Sequence, residues 1–157
     1  RLRLVLVVPE NRNRLRNPGV AENLDDAPQI LRDYLVRAVV EQGCRTAVEA
    51  DVDRMVQREF PGGRDLTDGQ AARVAQEFGG DVVVFGRLDA WARGHLFGRS
   101  TTVAFRLDAL DSMGVRIARV THSGTASQED PADLARILAS QAADSLVAAI
   151  GGCSGEP

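Results

Sequence analysis

Apolar and polar positions change rhythm several times along the chain. Arg1 to Val8 (RLRLVLVV) alternates and then becomes continuously apolar, the pattern of a strand that ends buried between two layers, and Pro9 closes it. Glu10 to Asp25 has no period and is rich in Asn, Arg, Pro and Gly, so it reads as a long loop. Asp26 then fits an N-cap, with Pro28 in the first turn and Gln29 placed to reach back to the cap. Ile30, Leu31, Tyr34, Leu35, Ala38 and Val39 follow at helical spacing, and Gly43 ends that helix. Cys44 to Val48 is a short strand, and Asp51 is expected to cap a brief helix through Phe60 that carries Val52, Met55 and Val56. Pro61-Gly62-Gly63 forces a break.

The second half begins with a capping-box pattern, Thr67 with Gln70, ahead of Ala71, Val74, Ala75 and Phe78 on one helical face. Gly79 stands where a left-handed C-terminal cap residue belongs. Val82 to Phe85 are apolar on both faces, as in a buried central strand. From Gly86 onward Leu88, Ala90 and Ala92 are expected to face one way and Arg87, Asp89 and Arg93 the other. Thr102 to Leu110 alternates cleanly, with Val103, Phe105, Leu107 and Ala109 opposite Arg106 and Asp108. Asp111-Ser112-Met113-Gly114 reads as a tight turn into a strand over Val115 to Ser123, which makes an antiparallel hairpin. Asp130-Pro131 opens a last helix with the stripe Leu134, Leu138, Ala142, Leu146 and Ile150.

Two strand-helix-strand passages followed by a hairpin predict an α/β (α+β) fold. Its single mixed sheet has the first three strands parallel and the C-terminal hairpin antiparallel, with helices packed on it. At 157 residues the chain suits one domain over 1–150 with a flexible tail over 151–157.

Glycines beside an apolar run can mark a phosphate-binding turn, but such a turn must lie between a strand and the helix after it. Gly79-Gly80 follows a helix and precedes a strand, so nucleotide binding is not expected. A net charge of -3 supplies no overall attraction to nucleic acid or anionic lipid, and all 19 basic residues are Arg. No apolar run reaches the ~18 residues that a bilayer span needs. The chain starts at Arg1 and shows no charged-apolar-small signal segment, so a processed protein or a trimmed one is expected. Cys44 and Cys153 show no ligand spacing; the expectation is a buried thiol and a tail thiol, with a bridge between them as the alternative.

His95 and His122 have no second ligand at a metal-binding spacing, so no metal and no cofactor is expected. Asp111, His122 and Ser123 supply the residue types of a hydrolytic triad. On a strand, however, His122 and Ser123 point to opposite faces, and no nucleophile elbow is present, so both are expected to face solvent and the chain to be no enzyme. Two features remain as partner-binding candidates. Arg12, Arg14 and Arg16 concentrate charge in the first loop, where they either clamp a phosphate or an acidic surface or simply face water. Trp91 and Phe97 flank the tip between two long strands, as anchors for a protein contact or as the cover of the core's open end.

Ala71 to Gly86 (AARVAQEFGGDVVVFG), the strand ending in Pro9, the helix ending at Glu41-Gln42-Gly43 and the Asp111 to Gly114 turn together resemble a family. It is the CsgG/TolB-N-terminal-domain-like bacterial envelope lipoprotein family, which includes PelC and LpoB, and the likeness spans residues 2 to 150. The first loop has no counterpart there, and no membrane-inserting hairpin is evident. The resemblance implies a non-enzymatic, periplasmic module, anchored to the outer membrane by a lipid removed from this form, that assists secretion or envelope assembly. Its partner would be an envelope protein or, in a ring, further copies of itself; an activator of a peptidoglycan synthase is the alternative within the family. Outside the family, the rival is a small anionic-ligand-binding domain or enzyme using the Arg-rich loop at the carboxyl ends of the parallel strands.

Overall fold

The computed structural model describes residues 2–12, 26–61, 65–93, 100–127 and 130–153. In chain order the elements are β1 (Arg3–Leu6), β2 (Glu10–Asn11), α1 (Ala27–Glu41), β3 (Arg45–Thr46) and α2 (Glu49–Glu59). Then come α3 (Asp68–Glu77), β4 (Val82–Arg93), β5 (Ser100–Asp111), β6 (Arg116–Ser127) and α4 (Pro131–Ala149). The sheet order is β3-β1-β4-β5-β6, with β2 beside β4 beyond the end of β1. β1 pairs parallel with β3 and β4, and β4, β5 and β6 pair antiparallel, as the sequence pattern predicts.

Period-two strands with apolar residues on both faces need cover on both faces, and here they get it. Leu4, Leu6, Val82, Val84 and Phe105 pack against Leu31, Leu35 and Val39 of α1 and Leu138, Ala142 and Leu146 of α4. Val5, Val7, Val83 and Phe85 point the other way, onto Val52 and Met55 of α2 and Val74 and Ala75 of α3. Fully burying a side chain such as Phe105 or Leu35 contributes about 1.5–3 kcal/mol each. α2 and α3 cover only the parallel part of the sheet and the start of the hairpin. Beyond it β5 and β6 keep helices on one face, and their other face carries Arg106, Thr121, Ser123 and Thr125.

Local signals hold where the backbone makes them unambiguous. Thr67 and Gln70 form the reciprocal capping box, with the Gln70 N–H donating to Thr67 Oγ1 at 3.1 Å and the Thr67 N–H to Gln70 Oε1 at 2.9 Å. Gly79 ends the helical segment at φ 59°. Gly86 has a different reason: a Cβ there would sit 2.0 Å from the Arg106 carbonyl oxygen, so only glycine lets β4 and β5 meet.

Five expectations need correcting. Asp26 lies in the helical region (φ -90°, ψ -10°), so its side chain makes no cap bond, although its carbonyl accepts from the Ile30 N–H. Asp51 does not cap α2, which starts earlier, after Val48; it lies in the first turn, paired with Arg54 and favourable to the helix dipole. The strand expected over residues 44–48 is only Arg45–Thr46, because the chain turns into α2. A β-bulge between Leu88 and Ala90 breaks the alternation expected after Gly86, so Leu88 and Trp91 both face the α1/α4 side.

Finally, Cys44 and Cys153 are joined by a disulfide. Both are buried, at 4% and 1% exposure, so Gly151 to Cys153, assigned from sequence to the flexible tail, are held against the fold. Residues 154–157 lie outside the described residues.

Candidate functional site

β1 and β3 are neighbours whose following helices leave toward opposite faces, α1 toward α4 and α2 toward α3. Such a reversal opens a crevice beyond the carboxyl ends of the strands, the usual ligand position in open α/β sheets. Here a crevice of about 330 Å³ lies there, bounded by the Val7-Val8-Pro9 exit of β1, Pro28 and Gln29 of α1, and Asp53, Val56 and Gln57 of α2. β3, the neighbour of β1 on the outer side, stops after two residues.

Backbone pairing shows what that early stop leaves. The Arg45 and Ala47 N–H groups donate to the carbonyls of Leu2 and Leu4, and the next carbonyl in the row, Leu6, faces no strand among the described residues. Arg32 meets it instead, with Nη1 3.5 Å from the Leu6 oxygen. The Arg32 side chain is 2% exposed and grips Asp53 through two hydrogen bonds of 2.9 Å, with Asp33 at 3.3 Å. Burial works against the Arg32 charge, but the contacts with Asp53 and Asp33 outweigh it and hold its pKa above the ordinary value. With Asp53 committed to this pair, Gln29 and Gln57 offer the crevice carboxamides that donate and accept hydrogen bonds without titrating. The site is suited to recognition more than to proton transfer.

The sequence candidates are placed differently from one another. Arg12 Nε donates to Glu10 at 2.9 Å and Nη2 to Asp65 at 2.7 Å, and the Asp65 N–H donates to Glu10 at 3.1 Å, so Arg12 ties β2 to the segment before α3. Arg14 and Arg16 lie outside the described residues. Trp91 is 3% exposed inside the α1/α4 core, which fits the core-covering role and not a free contact surface; Phe97 lies outside the described residues. His122, expected to face solvent, is half-buried and stacked on Phe105 with ring centroids 5.8 Å apart, while Ser123 is exposed. Burial pushes the His122 pKa down.

Sequence reading missed the Arg32–Asp53 pair. The available signal was that Arg32 lies one turn after Pro28 and three residues before Leu35, on the buried side of α1. It also missed that Asp108, on the polar side of β5, is 3% exposed and accepts from Arg119 Nε at 2.6 Å, with Arg106 and Arg116 each at 3.9 Å. The Asp108 hydrogen bond raises the Arg119 pKa. Among the described residues, no group of three or more His, Cys, Asp or Glu is placed to hold a metal ion, and no helix is long and apolar enough to cross a membrane.

The sequence matches no protein-family model, and no curated protein matches it. Solved structures do match. The PelC dodecamer from Paraburkholderia phytofirmans superposes with a TM-score of 0.60 at 12% identity, over 88% of this chain and 82% of that one. Lipoprotein GNA1162 from Neisseria meningitidis gives 0.64 at 15% identity, over 94% and 99%. The LpoB C-terminal domain from Escherichia coli gives 0.51 at 15% identity, over 81% and 83%. The fold is therefore PelC- and LpoB-like. At these identities the likeness concerns the fold; the CsgG and TolB part of the resemblance has no counterpart among these structures.

Proposed function

We propose that this protein is a non-enzymatic binding module of the bacterial cell envelope that works outside the cytoplasm, held at the outer membrane through a lipid anchor in its native form. It assists secretion or envelope assembly by binding protein, either further copies of itself or an envelope partner. The observation that carries this reading is the buried Cys44–Cys153 bridge, which joins residues 109 apart in sequence. Disulfides form and persist in oxidising compartments, the bacterial periplasm among them, and are rare in the cytosol. The PelC- and LpoB-like fold supports the same compartment, and the PelC dodecamer supports self-association. A synthase activator in the manner of LpoB is the finer alternative.

The test is the thiol state of the natural precursor in its own envelope. Alkylation in intact cells before reduction is expected to leave both cysteines unlabelled, with the protein fractionating with the outer membrane. Thiols that label without reductant in a cytosolic fraction would overturn the reading. A second reading, a domain for a small anionic ligand, has the position of the crevice in its favour and the engagement of Arg12 with Glu10 and Asp65 against it. A thermal-shift screen with nucleotides and sugar phosphates tests it, and a concentration-dependent rise in Tm would favour it.

A further inference from the structure

The two ends of the sheet are unlike. At one end β3 has two residues, too few to template another strand. At the other end β6 has twelve, none of them fully buried. A long outer strand presents unpaired N–H and C=O groups, and proteins blunt such edges with charges, proline, bulges or brevity. In β6 those devices are confined to the start: Arg116, Arg119 and the register irregularity opposite Ala109/Leu110. From Val120 to Ser127 (VTHSGTAS) there is no Lys, Arg, Asp, Glu or Pro, and the one titratable side chain, His122, is turned onto Phe105.

We propose that this edge pairs with β6 of a second copy, antiparallel, about a two-fold axis at Ser123. The proposal deepens the self-association reading above and rests on it. In antiparallel pairs, directly opposed residues share a face. Exposure alternates along β6, with Thr121, Ser123, Thr125 and Ser127 on the open face and Val120, His122, Gly124 and Ala126 on the α4 side. A centre at Ser123 therefore sets Ser123 against its own copy and Thr121 against Thr125 of the second chain. On the other face it sets Val120 against Ala126 and the large His122 against Gly124. Gly124 has Leu134 and Leu138 beneath it, where a Cβ would come within 3.4 Å of either side chain.

Charge does not oppose a second copy. Arg119 is already held by Asp108, and in this register it lies opposite Ser127. The two Arg119 residues then fall eight positions apart along the paired strands, roughly 27 Å at ~3.4 Å per residue. That is well beyond the ~8–10 Å over which exposed charges act at ordinary salt. A centre two residues earlier in sequence opposes Arg119 to Ser123 and halves that separation. A centre two residues later leaves only five residues paired. Among centres on the open-face residues, Ser123 is thus the one that pairs the uncharged run with itself.

Single-cysteine cross-linking under mild oxidation reads this register directly. Opposed residues of an antiparallel pair lie ~4.5–5.5 Å apart at Cα, within disulfide reach. Ser123→Cys is expected to convert most of the protein to a covalent dimer on a non-reducing gel. Ser127→Cys is expected to give several-fold less, and Thr121→Cys to cross-link only when mixed with Thr125→Cys. Light scattering on the unmodified protein is expected to show a mass of twice the chain or a higher even multiple, and Thr125→Lys to lower it while leaving the Tm measured at high dilution, where the chain is monomeric, unchanged. No covalent dimer of the Ser123→Cys variant, or equal yields from the Ser123→Cys and Ser127→Cys variants, would overturn the proposal. The envelope reading fails separately, by the thiol labelling above, because pairing at this edge can be measured in protein from any source.

Discussion

β4 passes through two environments. Val82 to Phe85 lie between α1 and α4 on one face and α2 and α3 on the other, and every one of these four side chains is buried. Past Gly86 the strand lies between β5 and, at Arg87 and Leu88, the short β2, with described helices on one face only, and its outward residues Arg87 and Asp89 are partly exposed and paired with each other at 3.0 Å. The first environment fixes each residue by packing. The second leaves a polar face and an outer strand whose composition packing does not dictate. Stability should therefore concentrate in the parallel half and at its ties to the rest, while interaction should concentrate in the antiparallel half.

The largest expected effect comes from cutting the covalent tie. Replacing Cys44 and Cys153 together by Ser should cost about 5 kcal/mol, the order expected for a loop of this length, and lower Tm accordingly in a denaturant or thermal melt. Next comes Asp53→Ala, which leaves the Arg32 charge buried beside Leu6 without its main partner and should cost roughly 3–4 kcal/mol. Replacing Arg32 and Asp53 together by Met and Leu should recover much of that loss, because an apolar pair replaces an ionic one; a double variant as unstable as Asp53→Ala would show that Arg32 matters through its bond to the Leu6 carbonyl instead. Gly86→Ala, at the boundary of the two environments, should cost about 1–3 kcal/mol because the obstacle is the Arg106 backbone.

On the open face the same kind of change should be almost silent. Thr121→Lys should alter monomer stability by no more than ~0.5 kcal/mol, and a larger loss would mean that this face is covered in the folded chain. The smallest effect is with pH. The His122 pKa is lowered in the fold by burial, so the unfolded chain binds the proton more readily. Its contribution is full above the ordinary value near 6.5 and declines as pH falls through that value toward the folded pKa. His122→Phe should flatten the dependence of Tm on pH as pH falls below about 6.5, and an unchanged slope would assign that dependence to other groups.

What could be read in advance follows the same division. Thr67 to Phe85 was legible because each signal there is local: a capping box, a 3.6-residue period, a left-handed glycine and a β-branched run. The bulge at Leu88/Ala90 was not, since Ala90 and Ala92 continue the alternation that the bulge breaks and no glycine or proline marks it. Trp91 was consequently a possible surface anchor in the sequence and a core residue in the fold. Disulfide pairing depends on which chain ends the tertiary structure brings together, so Cys44 and Cys153 could not be joined by spacing alone. The crevice was legible only as a place, the carboxyl ends of the parallel strands. Beside it, β3 stops early and Arg32 meets the Leu6 carbonyl in place of a strand, and neither feature leaves a period in the sequence.

Amide hydrogen exchange over a protein-concentration series tests most directly whether the half covered on one face is the interacting half. Protection of the Val120 to Ser127 amides is expected to rise several-fold between sub-micromolar and high-micromolar protein, while Leu4 to Leu6, buried and paired with β4, stays slow and constant. Exchange in β6 that is fast and independent of concentration would contradict the account.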